Sequence, residues 1–459
     1  MKHYDVIIVG SGASGVFASY EFTKLNTSLK ILMIDKGNPI KKRHCPIKTG
    51  KVERCISCEP CNIMNGYGGA GTLSDGKYNI TTNFGGEMHK YLGREDSIQL
   101  MEYVDQILCE FDGEESKLYS TSSSDLKTIA LRHDLHLLDA KVRHFGTDRN
   151  IKILEKIFEY SKEKVEMMFN TTVLDIEHRN GLYEVITDRN QIFSCQKLIL
   201  ASGRSGSKWI SQMCQKFGIA TFSNQVDIGV RVELPAEVFK HITDAVYESK
   251  IVYQTKSYND LVRTFCMNPY GQVVAENTNG IITVNGHSYS DEKLQSENTN
   301  FALLVSNRFT EPFKNSNEYG ESIAKLSNML GGGVLLQRFG DLIKGRRSSD
   351  RRMEKCFTVP TLKATPGDLS LVIPKRQLDS IIEMIYALDK IAPGTANDDT
   401  LLYGVEVKFY NSKVEVDKHF ETEKDGLFVV GDGGGSTHSL SQASACGIYV
   451  ARYLNQLLS

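Results

Sequence analysis

With 459 residues, the chain is long enough for two domains around a large buried core. Its 54 Lys and Arg against 56 Asp and Glu leave a net charge of −2, which excludes a global field that recruits nucleic acid or an anionic membrane. No apolar run approaches the ~18 residues of a membrane span, and no apolar leader precedes the first strand, so the expected location is cytoplasmic. The ten cysteines are then thiols, metal ligands or redox groups rather than a disulfide framework.

The first stretch sets the organisation. Tyr4 to Val9 is apolar and runs into Gly10-Ser11-Gly12-Ala13-Ser14-Gly15, a G-x-G-x-x-G. A helix-compatible segment follows to about Leu25, and a second apolar run, Ile31 to Ile34, ends at Asp35. Strand, tight turn, helix, strand and acid in that order read as a dinucleotide-binding βαβ unit. Gly10 permits the sharp turn, Gly12 lets backbone approach a pyrophosphate, and Gly15 lets the helix pack close to the sheet. Ala13 opens the helix, whose first N–H groups would face the phosphates. Asp35, twenty residues past Gly15, is spaced to accept hydrogen bonds from a ribose and would repel a 2′-phosphate. Lys36 beside it and Arg43 eight residues on are candidate contacts to the ribose or phosphates; a solvated loop is the plainer reading of this basic cluster.

Cys45 precedes Cys55, Cys58 and Cys61, a C-x2-C-x2-C. Thiolates so spaced can share one zinc ion through a tight turn. Similar spacing serves iron–sulfur clusters, with Cys45 as the fourth ligand, and a thiol-redox pair or unliganded thiols are the other readings. The glycines from Gly66 to Gly76 suit backbone that passes close to a planar ring or phosphate, and Gly69, Ala70 and Gly71 are the expected contacts.

Residues 94–132 read as mostly helical with a Ser-rich break at Ser120 to Ser124, and a helix is expected from Ile151 to about Ser161. Strands are expected at Val165 to Phe169, Val173 to His178, Tyr183 to Thr187 and Gln191 to Ala201, with Asn180-Gly181 as a hairpin turn. Val173 begins a segment that resembles the one with which an FAD domain usually offers backbone to adenine. Ala201 and Gly203 end a buried strand beside the cofactor. Between about Val226 and Asp399 no second glycine fingerprint follows an apolar strand, so no second nucleotide domain is expected; Gly331 to Gly333 reads as a loop. This region holds the substrate candidates: His287 in a turn as an acid or base, Cys266, and the arginines from Arg346 to Arg352 as an anion clamp or as partners of nearby acids.

At the far end an apolar strand reaches Gly431-Asp432, and a helix begins near Ser439. Asp432 is placed for ribityl hydroxyls. His438 and Ser439 lie at the helix N-terminus that would face the flavin pyrimidine, where positive helix-end charge stabilises developing negative charge. Ala443, Gly447 and Ala451 give this helix a small-residue face for close packing.

Taken together, residues 66–77, 143–148, 226–233, 262–274, 284–288, 298–305, 336–348, 401–410 and 428–447 resemble the FAD-dependent dehydrogenases, one-dinucleotide FAD oxidoreductases; the cysteine cluster is similar to their cysteine-bearing branch. The resemblance implies FAD and redox chemistry and names no substrate. Asp35 stands where Glu is more usual, and His438 where Arg is expected.

The expected fold is α/β: a discontinuous Rossmann-like FAD-binding domain (1–93, 141–235 and 400–459), a helical insert (94–140) and an inserted mixed α/β cap domain for substrate (236–399). FAD is expected to lie across the strand ends with its ring at the cap interface. The expected activity is hydride transfer between a small-molecule substrate and flavin N5, with His287 and His438 as proton-transfer candidates. Alternatives are a flavin plus iron–sulfur electron-transfer protein with a protein partner, or a non-catalytic FAD and thiol redox sensor. No nucleic acid and no membrane span are expected.

Overall fold

The strand Lys2–Val9 is buried on both faces from Val6 to Val9, as its unbroken apolar run requires of a central parallel strand. In the computed structural model, which describes residues 1–46, 51–52, 56, 58–112, 116–278, 280–288, 292–309, 313 and 315–459, this strand belongs to the first of two units. Unit 1 comprises residues 1–119, 141–222 and 411–459, and unit 2 residues 120–140 and 223–410.

Unit 1 is built on a seven-stranded sheet. Lys2–Val9 pairs in parallel with Ile31–Ile34 on one side and with Ile192–Leu200 on the other; Val165–Met168 and Leu427–Val429 extend these two pairings, also in parallel. The hairpin Val173–Arg179 and Leu182–Thr187 adds antiparallel strands. Its turn carries Asn180 at φ 53° and Gly181 at φ 76°, the left-handed pair that a two-residue hairpin needs. The helices Ala13–Lys24, Arg94–Asp112, Thr147–Ser161 and Leu440–Leu458 cover one face and share a core with it.

Unit 2 is organised on an eight-stranded sheet, in the order Thr365–Pro366, Leu335–Arg338, Leu401–Phe409, Val226–Pro235, Asn298–Asn307, Leu261–Asn268, Ile251–Gln254 and Leu135–Leu137. All its pairings are antiparallel except the first. Val226, Ile228, Val230, Val232 and Leu234 point into a core closed by the helices Ala236–Thr243, Ser316–Gly331 and Lys375–Asp389. Gly332, at φ 64°, ends the second of these helices, so the triple glycine is a helix stop.

The units divide at residues other than those expected. The long helix Arg94–Asp112 lies in unit 1, and the strands Val226–Pro235 and Leu401–Phe409, assigned by sequence to the nucleotide domain, are central in the second sheet. The two strands pair with each other along nearly their whole length, which commits both to one sheet. Among the described residues no helix is long and apolar enough to cross a membrane.

Candidate flavin-nucleotide site

The strand Lys2–Val9 ends at Gly10, whose φ of +104° brings the backbone so close to the next strand that a Cβ would lie 2.5 Å from the Ala201 carbonyl oxygen. At Gly15 a Cβ would lie 2.1 Å from the Gly10 carbonyl oxygen, so the helix starts directly against the loop. Gly12 differs: a Cβ there would meet nothing nearer than 3.6 Å. Gly12 caps the helix Ala13–Lys24 in an extended conformation and has no side chain with which to cap its N–H groups. An open glycine beside an uncapped helix N-terminus is an anion cradle. The second glycine segment lies on the first: Gly68 N donates to Ser11 O at 2.7 Å, and a Cβ on Gly69 would lie 3.0 Å from Gly12 Cα. Ala70 is exposed, and Gly71 packs under Leu440.

Asp35 ties these loops together. Its Oδ2 accepts from Ser11 N and Ser11 Oγ, both at 2.8 Å, and its Oδ1 accepts from Gly37 N at 2.7 Å and Gly66 N at 3.0 Å. The short Asp reaches back into its own turn and joins three segments. Its own carbonyl accepts from Thr171 N at 3.1 Å, which brings Val173 near this end of the sheet. Lys36 is half-buried. Arg43 is buried, and its guanidinium donates to carbonyls of its own chain: Nε to Asn62 at 3.0 Å, Nη2 to Asn62 and Ile63 at 2.8 Å, and Nη1 to Tyr67 at 2.6 Å. Burial pushes this guanidinium down to about 10, opposed by Asp35 and Cys61, so it remains a cation at neutral pH. The structure therefore uses Arg43 to fix the turn that joins the cysteine region to the second glycine segment.

At the C-terminal end of the chain, Gly431 has φ +76° and would place a Cβ 2.4 Å from Ser14 Oγ. Asp432 accepts from Arg204 Nε at 3.0 Å and Thr437 Oγ1 at 3.2 Å. Arg204 follows Gly203, itself at φ +60°, so the ends of two parallel strands meet here. Ser439 caps the helix Leu440–Leu458 by accepting from Gln442 N at 3.3 Å. The stretch before it pairs with the segment after the second glycine run: His438 N donates to Gly85 O, and Glu87 N to Ser436 O, each at 2.8 Å. Gly447 brings the C-terminal helix onto the first, since a Cβ would lie 2.1 Å from Ser14 O; Ala443 and Ala451 on the same face are buried. Ser202 Oγ and Ser436 Oγ are buried with no hydrogen-bond partner among the described residues, one following each of the two strands. Gly10, Gly12, Ala13, Gly15, Asp35, Gly69, Ala201, Gly203, Gly431 and Asp432 thus lie around the carboxyl ends of the parallel strands, where open α/β sheets bind nucleotides. The glycine cradle, the uncapped helix end and the orphaned hydroxyls fit an FAD dinucleotide.

Cys45, Cys58 and Cys61 are half-exposed thiols, and Cys55 lies outside the described residues. No group of three or more His, Cys, Asp or Glu is arranged to hold a metal ion among the described residues.

Unit 2 contains a polar site centred on Arg231, a residue the sequence reading did not single out. Arg231 and Glu406 are an ion pair with both side chains fully buried, Nε to Oε2 at 2.9 Å. Arg231 also donates to Cys266 O at 2.9 Å and Asn285 Oδ1 at 2.7 Å, and Lys408 Nζ lies 3.0 Å from Glu406 Oε1. Cys266 is held at φ 45°, in the left-handed region, and burial pushes its thiol up. A Cβ on Gly286 would lie 3.1 Å from Arg231 Cζ, so the hairpin Gln272–Thr278 and Ile281–His287 passes directly by the guanidinium. On the same strand, Asp227 pairs with Arg263 and accepts from Tyr410 Oη at 2.7 Å; Glu233 accepts from Tyr403 Oη and Thr361 Oγ1 at 2.5 Å. A signal was available: Asp227, Gly229, Arg231 and Glu233 alternate with valines, isoleucine and leucine in a strand whose other face is core. His287 ends the hairpin and is exposed. Of the basic run, Arg346 and Arg352 turn to the buried Asp341, at 2.8 and 3.7 Å, so these two arginines serve the fold.

Residues 225–409 match the family model described as FAD-dependent protein, C-terminal domain-like. An uncharacterised protein of Clostridium beijerinckii is 25% identical over 470 aligned residues, covering 98% of this chain and 80% of that protein. Among solved structures, glycine oxidase from Geobacillus kaustophilus is 12% identical with a TM-score of 0.41, covering 99% of this chain and 95% of that one. Quinol fumarate reductase FrdA of E. coli is 14% identical with a TM-score of 0.43, covering 99% and 71%. At these values the structural likeness assigns neither chemistry nor substrate. Over residues 225–409 the chain is therefore similar to the C-terminal domain of FAD-dependent proteins.

Proposed function

We propose that the protein moves a hydride between a small-molecule substrate and N5 of the flavin, with unit 1 holding the nucleotide. The observation that carries the nucleotide assignment is the open Gly12 at an uncapped helix N-terminus with Gly68 and Gly69 laid against it. When bound there, FAD supplies reversible two-electron chemistry. The chain's own residues bind, orient and exclude water. The N–H groups that open the helix Ala13–Lys24 offset pyrophosphate charge. Asp432 has its carboxylate at a strand end, where it can exchange Arg204 or Thr437 for a ribityl hydroxyl. Ser439 and His438 bring the N-terminus of the C-terminal helix to that same end, as a fixed positive dipole for charge on the pyrimidine.

In unit 2, Arg231 and Lys408 are donors fixed by Glu406, and Asn285 hydrogen-bonds to the same guanidinium. Arg231 is fully buried, so Lys408, which keeps partial exposure, is the donor that can meet a polar substrate. His287, two residues beyond Asn285 and exposed, and His438 are the proposed proton carriers. Anaerobic bleaching of the flavin by candidate hydride donors tests this reading. His287→Gln and His438→Gln should slow bleaching at least tenfold with flavin content unchanged. Loss of flavin, or unchanged bleaching, removes that histidine from the reaction.

A further inference from the structure

The near-neutral total charge hides a local excess. Residues 343–363 contain seven lysines and arginines against two acids, Asp350 and Glu354, in a chain of net charge −2. Buried Asp341 takes Arg346 and Arg352, and Asp398 takes Lys344 at 2.6 Å; Arg347, Arg351, Lys355 and Lys363 are further exposed cations. With Arg338, Asp341, Asp368, Asp398 and Asp399 also counted, two positive charges remain in excess.

Large apolar side chains protrude beside these cations. Phe357 is 78% exposed, Val359 71% and Leu371 64%. Phe357 and Val359 are two apart, with buried Thr358 between them, so both project outward. Hydrogen bonds hold the two kinds of residue in one patch. Arg338 bridges Asp341, at 3.5 Å, and Asp399, and Asp399 accepts from Phe357 N at 2.9 Å. Ser348 N donates to Gly367 O at 2.9 Å, four residues before Leu371.

We propose that this face docks the protein on an anionic lipid surface. Bilayer interfaces take single protruding aromatic and aliphatic side chains into the acyl boundary while lysines and arginines stay at the level of the headgroups. The apolar groups here project singly from short irregular segments, as a lipid contact needs; a protein interface needs a broad, close-packed apolar centre. The proposal is independent of the substrate and of the hydride step, and it requires no helix to enter the membrane.

The test is co-sedimentation of the FAD-loaded full chain with phosphatidylcholine vesicles, with and without about a third phosphatidylglycerol. Binding should be at least about tenfold stronger to the anionic vesicles and should weaken severalfold near 1 M salt, where screening is short-ranged. Arg347→Gln with Arg351→Gln should remove most of the preference for phosphatidylglycerol. Phe357→Ser with Val359→Ser should weaken binding at every salt concentration. Both pairs should keep wild-type flavin content and melting temperature, since neither touches the flavin-nucleotide site. Equal binding to both vesicle types, or variants that bind like wild type, overturns the proposal. So does a wild-type dimer that Phe357→Ser dissociates, which would assign the face to a second copy of the chain.

Discussion

Arg231 Nε lies 2.9 Å from Glu406 Oε2, and neither side chain has any exposure to solvent. Glu406 also accepts from Arg231 Nη2 at 3.2 Å and faces Lys408, so one carboxylate anchors two cations inside the second sheet. Removing one partner of such a pair leaves an uncompensated buried charge, and about 3 kcal/mol is the expected cost. Glu406→Gln and Arg231→Met should each lose that much in denaturant unfolding. The double variant Arg231→Met with Glu406→Leu should recover most of the stability.

Gly447 marks the contact of the first and last helices of unit 1. A Cβ there would lie 2.1 Å from Ser14 O and 3.1 Å from Ala18 N, both backbone atoms that cannot move alone. Gly447→Ala should cost about 2–3 kcal/mol and lower flavin retention, because the helix it displaces carries Ser439. Gly218 is the control: it has φ +73° with open space around its Cβ position, so Gly218→Asn should change the melting temperature little.

Asp35 gathers four donors from three loop segments. Asp35→Ala leaves the N–H groups of Ser11, Gly37 and Gly66 without this acceptor, at about 1–3 kcal/mol for a buried donor. The glycine loops should loosen, and FAD affinity, measured by fluorescence on reconstitution, should fall at least tenfold. The unfolding midpoint should also drop; an unchanged midpoint with weaker FAD would assign Asp35 to the ribose alone.

Glu87 follows the second glycine segment and pairs with Lys413 and Lys90. Burial alone would raise its carboxyl, but the two lysines pull it from 4.5 down to about 2. A depressed acid contributes stability that is complete above its unfolded value and disappears as pH falls through its folded value. Wild type should therefore lose this contribution between about pH 4.5 and pH 2. With partial exposure the effect is about 1 kcal/mol. Glu87→Gln should be less stable than wild type at pH 7 and indistinguishable from it near pH 2, by chemical denaturation at both.

The nucleotide unit was legible because its signals are local. Glycine spacing, a continuous apolar strand and the Ala443, Gly447 and Ala451 face depend on chain geometry alone. The use of Arg43 was not, because its partners are backbone carbonyls that a folded turn brings together nineteen to twenty-four residues away. Arg346 and Arg352 resolved toward Asp341 rather than a ligand for the same reason: burial of the acid is a tertiary fact. The Arg231 site left a trace in the strand alternation, but which face was core depended on helices far away in the chain. Domain limits shifted where the two long strands at 226–235 and 401–409 chose each other.

The most direct test of an FAD site at the first glycine loop uses Gly12. Its φ of −68° suits any residue, and a Cβ there meets nothing within 3.6 Å, so Gly12→Val should fold and fill only the space meant for ligand. Flavin released from the purified chain should be FAD at about one per chain, and Gly12→Val should keep the melting temperature of the apoprotein while carrying none. A wild-type chain without flavin even after reconstitution, or a Gly12→Val chain that still holds one FAD, would contradict the site.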